Sequence, residues 1–414
     1  MKSYTRYKLD NGLEIILSPN KYLHSASIAV GFNYGLFNES NSTTGVSHLI
    51  EHMLFEGTDK FDKKMLSDFL DNHTVYWNGE TDAETTYYTF KLLSLSKPQY
   101  VFDVISSMLF DSVFPEENLI KEKNAVANEV QSNFGAEFSL EGAIPRAYLL
   151  RKPATTFFGG DPRKIEELHR DIIFGLYTKY YSPGNATISI AGNFNSKNVI
   201  KSIDDIFGNI KKANVKPDLN IYSGTTKYKS VRIRSFNPYP GQSSIVFGMK
   251  FPGAEELYEK SENSVASLNY IHSLLADRLM KTLRDSAGMV YMADSDIEIT
   301  RHTGYLVAYA KMKNKDVEKS KRLIFKELEK IINGDVTDIN AKKSKISLKA
   351  SLADTFDSTL EHSTEMLNSL MKYGRDVNQA YNEAINLTLD DVRAAAANYI
   401  KTEGQDNSVL VLSS

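Results

Sequence analysis

A spacing that occurs twice constrains this chain more than any other feature. Leu168, Asp171 and Tyr180 precede an apolar run around Ile188, and Leu387, Asp390 and Tyr399 stand at the same intervals before Val409 to Leu412. The two sets are offset by 219 residues, about half of the 414-residue chain, so the sequence reads as two copies of one unit. Few single hydrophobic cores serve that many residues, and length alone predicts two domains.

Local patterns agree. Strand character at 13–17 follows the Asp10-Asn11-Gly12 turn and returns at 26–33. A helix is predicted from about Ser47, with Val46, Leu49, Ile50, Met53 and Leu54 forming its apolar surface. Further helices are predicted at 65–70, 99–111, 115–133 and 196–210, and strands at 74–77, 85–93 and 186–191. Residues 213–228 are polar, contain Pro217 and Gly224, and read as a linker. Beyond them the order recurs: a strand at 244–250, a helix at 264–284, strands at 289–299 and 304–312, then helices. The expected class is α+β, with tandem homologous domains at 1–212 and 229–414, each a mostly antiparallel sheet packed with helices.

Charge excludes several functions. The net charge is -3 and the charges are interspersed, so neither nucleic acid nor an anionic membrane is an expected partner. Cysteine is absent, which removes disulfides, thiolate ligands and a thiol nucleophile. Residues 1–20 show no apolar signal-peptide core, and no run approaches the roughly 18 apolar residues of a membrane span. The expected location is cytoplasmic, unless a leader was removed before this numbering begins.

The chemistry concentrates in His48-Leu49-Ile50-Glu51-His52. Histidines at i and i+4 of a helix project from one face about a turn apart, the geometry two imidazoles need to share a zinc ion. Glu51 reaches the same space and could accept a proton from metal-bound water. A catalytic zinc takes a third protein ligand. On the 115–133 helix, Glu122, Val126 and Glu129 share a face beside the apolar stripe of Leu119, Val126 and Val130. A carboxylate there needs a cation, and the pattern leaves open whether that is a metal, a salt-bridge partner or simply solvent. The later pair Glu361-His362 has Ser358 where a first histidine would stand, so the second half carries no such motif.

These residues resemble the inverted-motif zinc peptidases that include pitrilysin, insulin-degrading enzyme and mitochondrial processing peptidase. The likeness runs from Leu9-Asp10-Asn11-Gly12-Leu13 through Gly45 to Thr58, continues at Asn78 to Tyr88, and reappears at Tyr181 to Ala186 before Ala191-Gly192. The resemblance implies one zinc ion per chain, held by His48, His52 and Glu129, with Glu51 as general base. That family places its third ligand some 77 residues after the second histidine, with another glutamate seven residues earlier; here these are Glu129 and Glu122. Glu122 is then expected to orient the site.

Asn78, Gly79, Glu80 and Thr81 correspond to an edge strand that pairs with substrate backbone, with Gly79 in place of the usual alanine. Arg284 and Tyr291 match a substrate-binding segment expected to stabilise the tetrahedral oxyanion. By pattern alone they read as an exposed arginine near a helix end and a core tyrosine. Two domains would supply half of a clamshell chamber, completed by a second copy or by a related two-domain chain. The implied activity is endopeptidase cleavage of short or unfolded peptides. A dedicated protease for leader or precursor peptides, or an inactive scaffold or partner subunit of the same fold, are the alternatives.

Overall fold

The computed structural model describes residues 4–134, 139–211, 219–234, 241–336, 346, 350 and 353–413, and its strands form two sheets. The first contains β1 (Thr5–Lys8), β2 (Glu14–Pro19), β3 (Ala26–Phe32), β4 (Tyr76–Thr81), β5 (Thr86–Leu92) and β6 (Ala186–Gly192), in the order β1-β2-β6-β3-β5-β4. The second contains β7 (Lys229–Ile233), β8 (Gln242–Pro252), β9 (Val290–Ile299), β10 (Thr303–Lys313) and β11 (Ser408–Ser413), in the order β7-β11-β8-β10-β9. One pair in each sheet is parallel, β2 with β6 and β7 with β11. All other pairs are antiparallel. This is the α+β, mostly antiparallel class that the sequence predicts.

Without β1 the two orders are one topology. β6 and β11 each lie between a parallel and an antiparallel neighbour, and β4 and β9 each form the same edge. The recurring Leu, Asp and Tyr positions accompany the helices Arg170–Tyr180 and Leu389–Tyr399, which lead into β6 and β11. The repeat in the sequence is thus a repeat of architecture.

Packing divides the chain into two compact units. One comprises Met1–Phe134, Phe158–Asn220 and Leu352–Asn378; the other comprises Gly135–Phe157, Ile221–Ser351 and Gln379–Ser414. Each sheet therefore receives a helix from the opposite half of the sequence. Helix Thr359–Tyr373 packs on β3 and β6, and helix Ser139–Leu150 packs on β8 and β11. Central strands covered on both faces read as continuous apolar or small runs rather than alternating ones, as in Ala26–Phe32, which is buried throughout. Leu367 and Met371 of the covering helix pack against Ala29 and Tyr87, and full burial of such a leucine contributes roughly 2 kcal/mol. Of the predicted linker, 213–218 lie outside the described residues. After it, Tyr222 N donates to Leu150 O at 3.3 Å, within the second unit.

The first unit contains the helices α1 (Val46–Met53), α2 (Lys63–His73), α3 (Pro98–Phe110) and α4 (Glu116–Phe134), of which α1 and α4 pack together at the predicted site. The predicted strand at 74–77 is displaced, and β4 begins at Tyr76 and continues through Asn78-Gly79-Glu80-Thr81. Asn78, Gly79 and Glu80 have little strand propensity, and pairing with β5 holds them extended. Among the described residues no helix is long and apolar enough to cross a membrane.

Candidate metal centre

Helix α1 begins without a side-chain cap from its own N-cap residue. Glu39 supplies the missing acceptor. Its buried carboxylate accepts from Gly45 N and Ser47 N, both at 2.8 Å, and places negative charge at the positive end of the helix. With that turn fixed, His48 and His52 lie side by side, ring centroids 5.0 Å apart.

Glu129 arrives from α4. One of its oxygens lies 3.6 Å from His48 Nε2 and the other 3.6 Å from His52 Nε2. One ligand atom from each of the three residues falls within 4.8 Å of the others, a spacing one small cation can bridge. The donor set also fits zinc, two imidazoles and a carboxylate with room for a further ligand. Burial, and then the neighbouring His52, hold His48 below the usual histidine range, which leaves its ring neutral with a lone pair to offer.

Of Glu122 and Glu129, both on α4, the one shielded from water, and so in need of a positive partner, is Glu122. Glu129 has 51% of its side chain exposed, whereas Glu122 has 17%. Glu122 Oε2 lies 3.1 Å from His52 Nδ1, and this hydrogen bond holds the Glu122 carboxyl below its ordinary range against the opposing effect of burial. By accepting at Nδ1 it fixes the tautomer that directs Nε2 toward Glu129.

Glu51 is buried beside this cluster but is not one of the three residues whose ligand atoms converge. Its Oε2 accepts from Thr81 Oγ1 at 2.7 Å, leaving Oε1 uncommitted to Thr81. Burial pushes its carboxyl up to about 7, with the Thr81 hydrogen bond and His52 pulling it down. A carboxylate so poised can take and return a proton near neutral pH.

Asn78, Gly79, Glu80 and Thr81 do lie on a sheet edge, because β4 pairs only with β5 among the described strands. Their side chains divide between two tasks. Asn78 Nδ2 donates to Glu80 Oε1 at 3.3 Å, and Tyr87 OH donates to Glu80 Oε2. Thr81 and Gly79 instead face inward, to Glu51.

Arg284 and Tyr291 belong to the second unit. Arg284 lies on a π-helical turn, Met280–Ser286, that extends helix Ser264–Leu279. Tyr291 is 55% exposed on the edge strand β9, so it is not a core tyrosine. His362 sits in the helix capped by Ser358, buried, with Nε2 2.9 Å from Ser18 Oγ.

Sequence reasoning missed Gly159. It is backed against His48 at φ +93°, and a Cβ there would come within 2.9 Å of His48 Nδ1. It also missed Glu39 and the inward contact of Thr81. Only the glycine pair Gly159-Gly160 offers a local hint, since two adjacent glycines mark a segment where backbone approaches something closely.

Two family models match in succession. The one described as Insulinase (Peptidase family M16) matches residues 15–142, and the one described as Peptidase M16 inactive domain matches residues 167–348. The uncharacterized zinc protease YmxG of Bacillus subtilis is 25% identical over 360 residues, 86% of this chain and 85% of the relative. A probable mitochondrial-processing peptidase subunit beta of Arabidopsis thaliana is 21% identical over 390 residues, 89% of this chain and 70% of the relative. In fold, the chain is similar to a protease from Helicobacter pylori with a TM-score of 0.85 at 18% identity, covering 100% of this chain and 99% of the other.

Proposed function

The chain belongs to the M16 peptidase family, and from that premise we propose that it is a zinc-dependent endopeptidase acting on short or unfolded peptides. The convergence of His48 Nε2, His52 Nε2 and the Glu129 carboxylate within 4.8 Å carries this reading. Zinc, when bound there, supplies a Lewis acid that polarises the scissile carbonyl. His48, His52 and Glu129 hold the ion, one per chain. Glu122 keeps His52 in the ligating tautomer.

Glu51 removes a proton from the attacking water and delivers it to the leaving amine. The Thr81 hydrogen bond occupies Oε2 and leaves Oε1 for that transfer. The free edge of β4 pairs with extended substrate backbone, which reads main-chain groups and tolerates varied side chains. Arg284 and Tyr291, exposed in the second unit, donate hydrogen bonds to the oxyanion developing at the zinc of the partner chain. Two such chains close a chamber, as a homodimer or with a related two-domain partner. The similarity to a processing peptidase named as a subunit supports a second reading, removal of leader segments from precursor peptides together with a related chain. An inactive scaffold would have no need of Glu51 beside three convergent ligands.

Elemental analysis of wild type and His52→Ala, with peptide cleavage by wild type and Glu51→Gln, tests the proposal. The expected result is zinc in wild type and in Glu51→Gln but little in His52→Ala, and cleavage by wild type alone. Cleavage by Glu51→Gln at the wild-type rate would overturn the mechanism. Light scattering that returns only 46.6 kDa at working concentration would overturn the dimer.

A further inference from the structure

Behind the ligands lies a second charged pair that the chemistry above does not use. Glu56, just past α1, is buried, with only 5% of its side chain exposed. Its Oε1 lies 2.5 Å from Lys63 Nζ, while Oε2 is buried with no hydrogen-bond partner among the described residues. A carboxylate kept out of water in this way is costly unless a cation meets it. Lys63 is that cation. It is the first residue of α2, and Asp62 fixes its backbone by accepting from Met65 N at 2.8 Å.

The same ammonium faces the metal site. Lys63 Nζ is 3.9 Å from Glu122 Oε1, and the opposite oxygen, Glu122 Oε2, is 3.1 Å from His52 Nδ1. The Glu122 carboxylate is thus held between a lysine and a ligand imidazole. At 3.9 Å the lysine acts by charge rather than by a direct hydrogen bond. Its side chain is 53% exposed, so solvent screens part of that effect.

We propose that Lys63, anchored on Glu56, is a positioning residue for zinc: it holds the Glu122 carboxylate against His52 Nδ1, so that His52 presents Nε2 to the ion. This rests on the zinc reading above and extends it outward by one layer. Partners of ligand histidines change metal affinity by about 10- to 100-fold, and a residue one layer further out acts through them with a smaller effect.

The experiment measures zinc affinity of the full chain by competition with a chromogenic chelator, a readout independent of cleavage. Lys63→Met should weaken zinc binding by about fivefold, and Lys63→Arg should stay within about twofold of wild type. Because Lys63→Met also strands Glu56, the double variant Lys63→Met/Glu56→Gln separates the two roles. Its unfolding stability should recover while its zinc affinity stays weak. In a Glu122→Gln background, Lys63→Met should cost nothing further. The proposal is overturned by unchanged affinity in Lys63→Met, by affinity that recovers in the double variant, or by an undiminished loss in the Glu122→Gln background. A wild-type protein that binds no zinc would bring down the metal reading itself, and this proposal with it.

Discussion

Thr81 Oγ1 donates a 2.7 Å hydrogen bond to Glu51 Oε2, joining the edge strand β4 to the proposed base on α1. The resemblance assigns Thr81 to substrate binding; its contact in this chain is with Glu51. A hydrogen bond to an ionised group contributes about 1.5 kcal/mol or more, and about 1.4 kcal/mol is tenfold in rate. Thr81→Val should therefore lower kcat by roughly tenfold, with zinc content and KM near wild type. Thr81→Ser restores the hydroxyl and should restore most of the rate. Equal kcat for the valine variant and wild type would show that Glu51 does not depend on this contact.

Gly79 sets the other wall of the Glu51 site. A Cβ at that position would lie 2.8 Å from Glu51 Cγ and 2.9 Å from Oε1, too close for either. The clashing atoms all belong to the Glu51 side chain and none to backbone, so the fold survives while Glu51 shifts. The resembled peptidases usually carry alanine here, but in this chain Glu51 is seated directly against the glycine, so Gly79→Ala is expected to reduce kcat several-fold with little change in melting temperature. A melting temperature lowered in proportion to kcat would point to general damage instead.

How much of this was legible beforehand follows from where each contact comes from. His48, Glu51 and His52 share one helix, and helical periodicity turns their spacing directly into geometry. The recurring Leu, Asp and Tyr positions likewise foretold two sheets of one topology. Glu129 was different: its side chain is 51% exposed, so no burial pattern could single it out, and the family resemblance named it. Thr81, Gly159 and Lys63 reach the site from other elements through tertiary packing, to which a single sequence is blind. So it was with helices Ser139–Leu150 and Thr359–Tyr373, each of which packs on the sheet built from the other half of the chain.

Gly159 links backbone strain to metal affinity. At φ +93° a side chain costs about 1 kcal/mol or more, and here a Cβ would also press within 2.9 Å of His48 Nδ1. Gly159→Ala should therefore lose stability and also bind zinc more weakly, by about tenfold as for other neighbours of ligand histidines. Chelator competition and thermal unfolding of the metal-free protein measure the two effects separately. Stability loss with wild-type zinc affinity would mean that His48 does not need Gly159 to keep its place.

The second unit carries a pH dependence of its own, at Lys250 on β8. Its Nζ donates to Tyr222 O at 3.0 Å and Gly224 O at 2.7 Å, while Arg151 lies 3.7 Å over the Tyr222 ring. Burial, and to a lesser degree Arg151, push the Lys250 ammonium down to about 8. An unfolded lysine keeps its proton to about pH 10.4. Between those two values the unfolded chain binds the extra proton, so stability rises with pH. The charged amine is a penalty at neutral pH, relieved from about pH 8 upward, and the neutral amine can still donate to both carbonyls. Buried tyrosines such as Tyr305, whose folded values lie well above 10, act in the opposite direction once the unfolded chain ionises near pH 10. The window is therefore about pH 8 to 9.5. Urea unfolding of wild type and Lys250→Met across that window should show wild type gaining stability relative to the variant as pH rises. A difference that stays flat would mean that Lys250 titrates in the folded protein as it does in the unfolded chain.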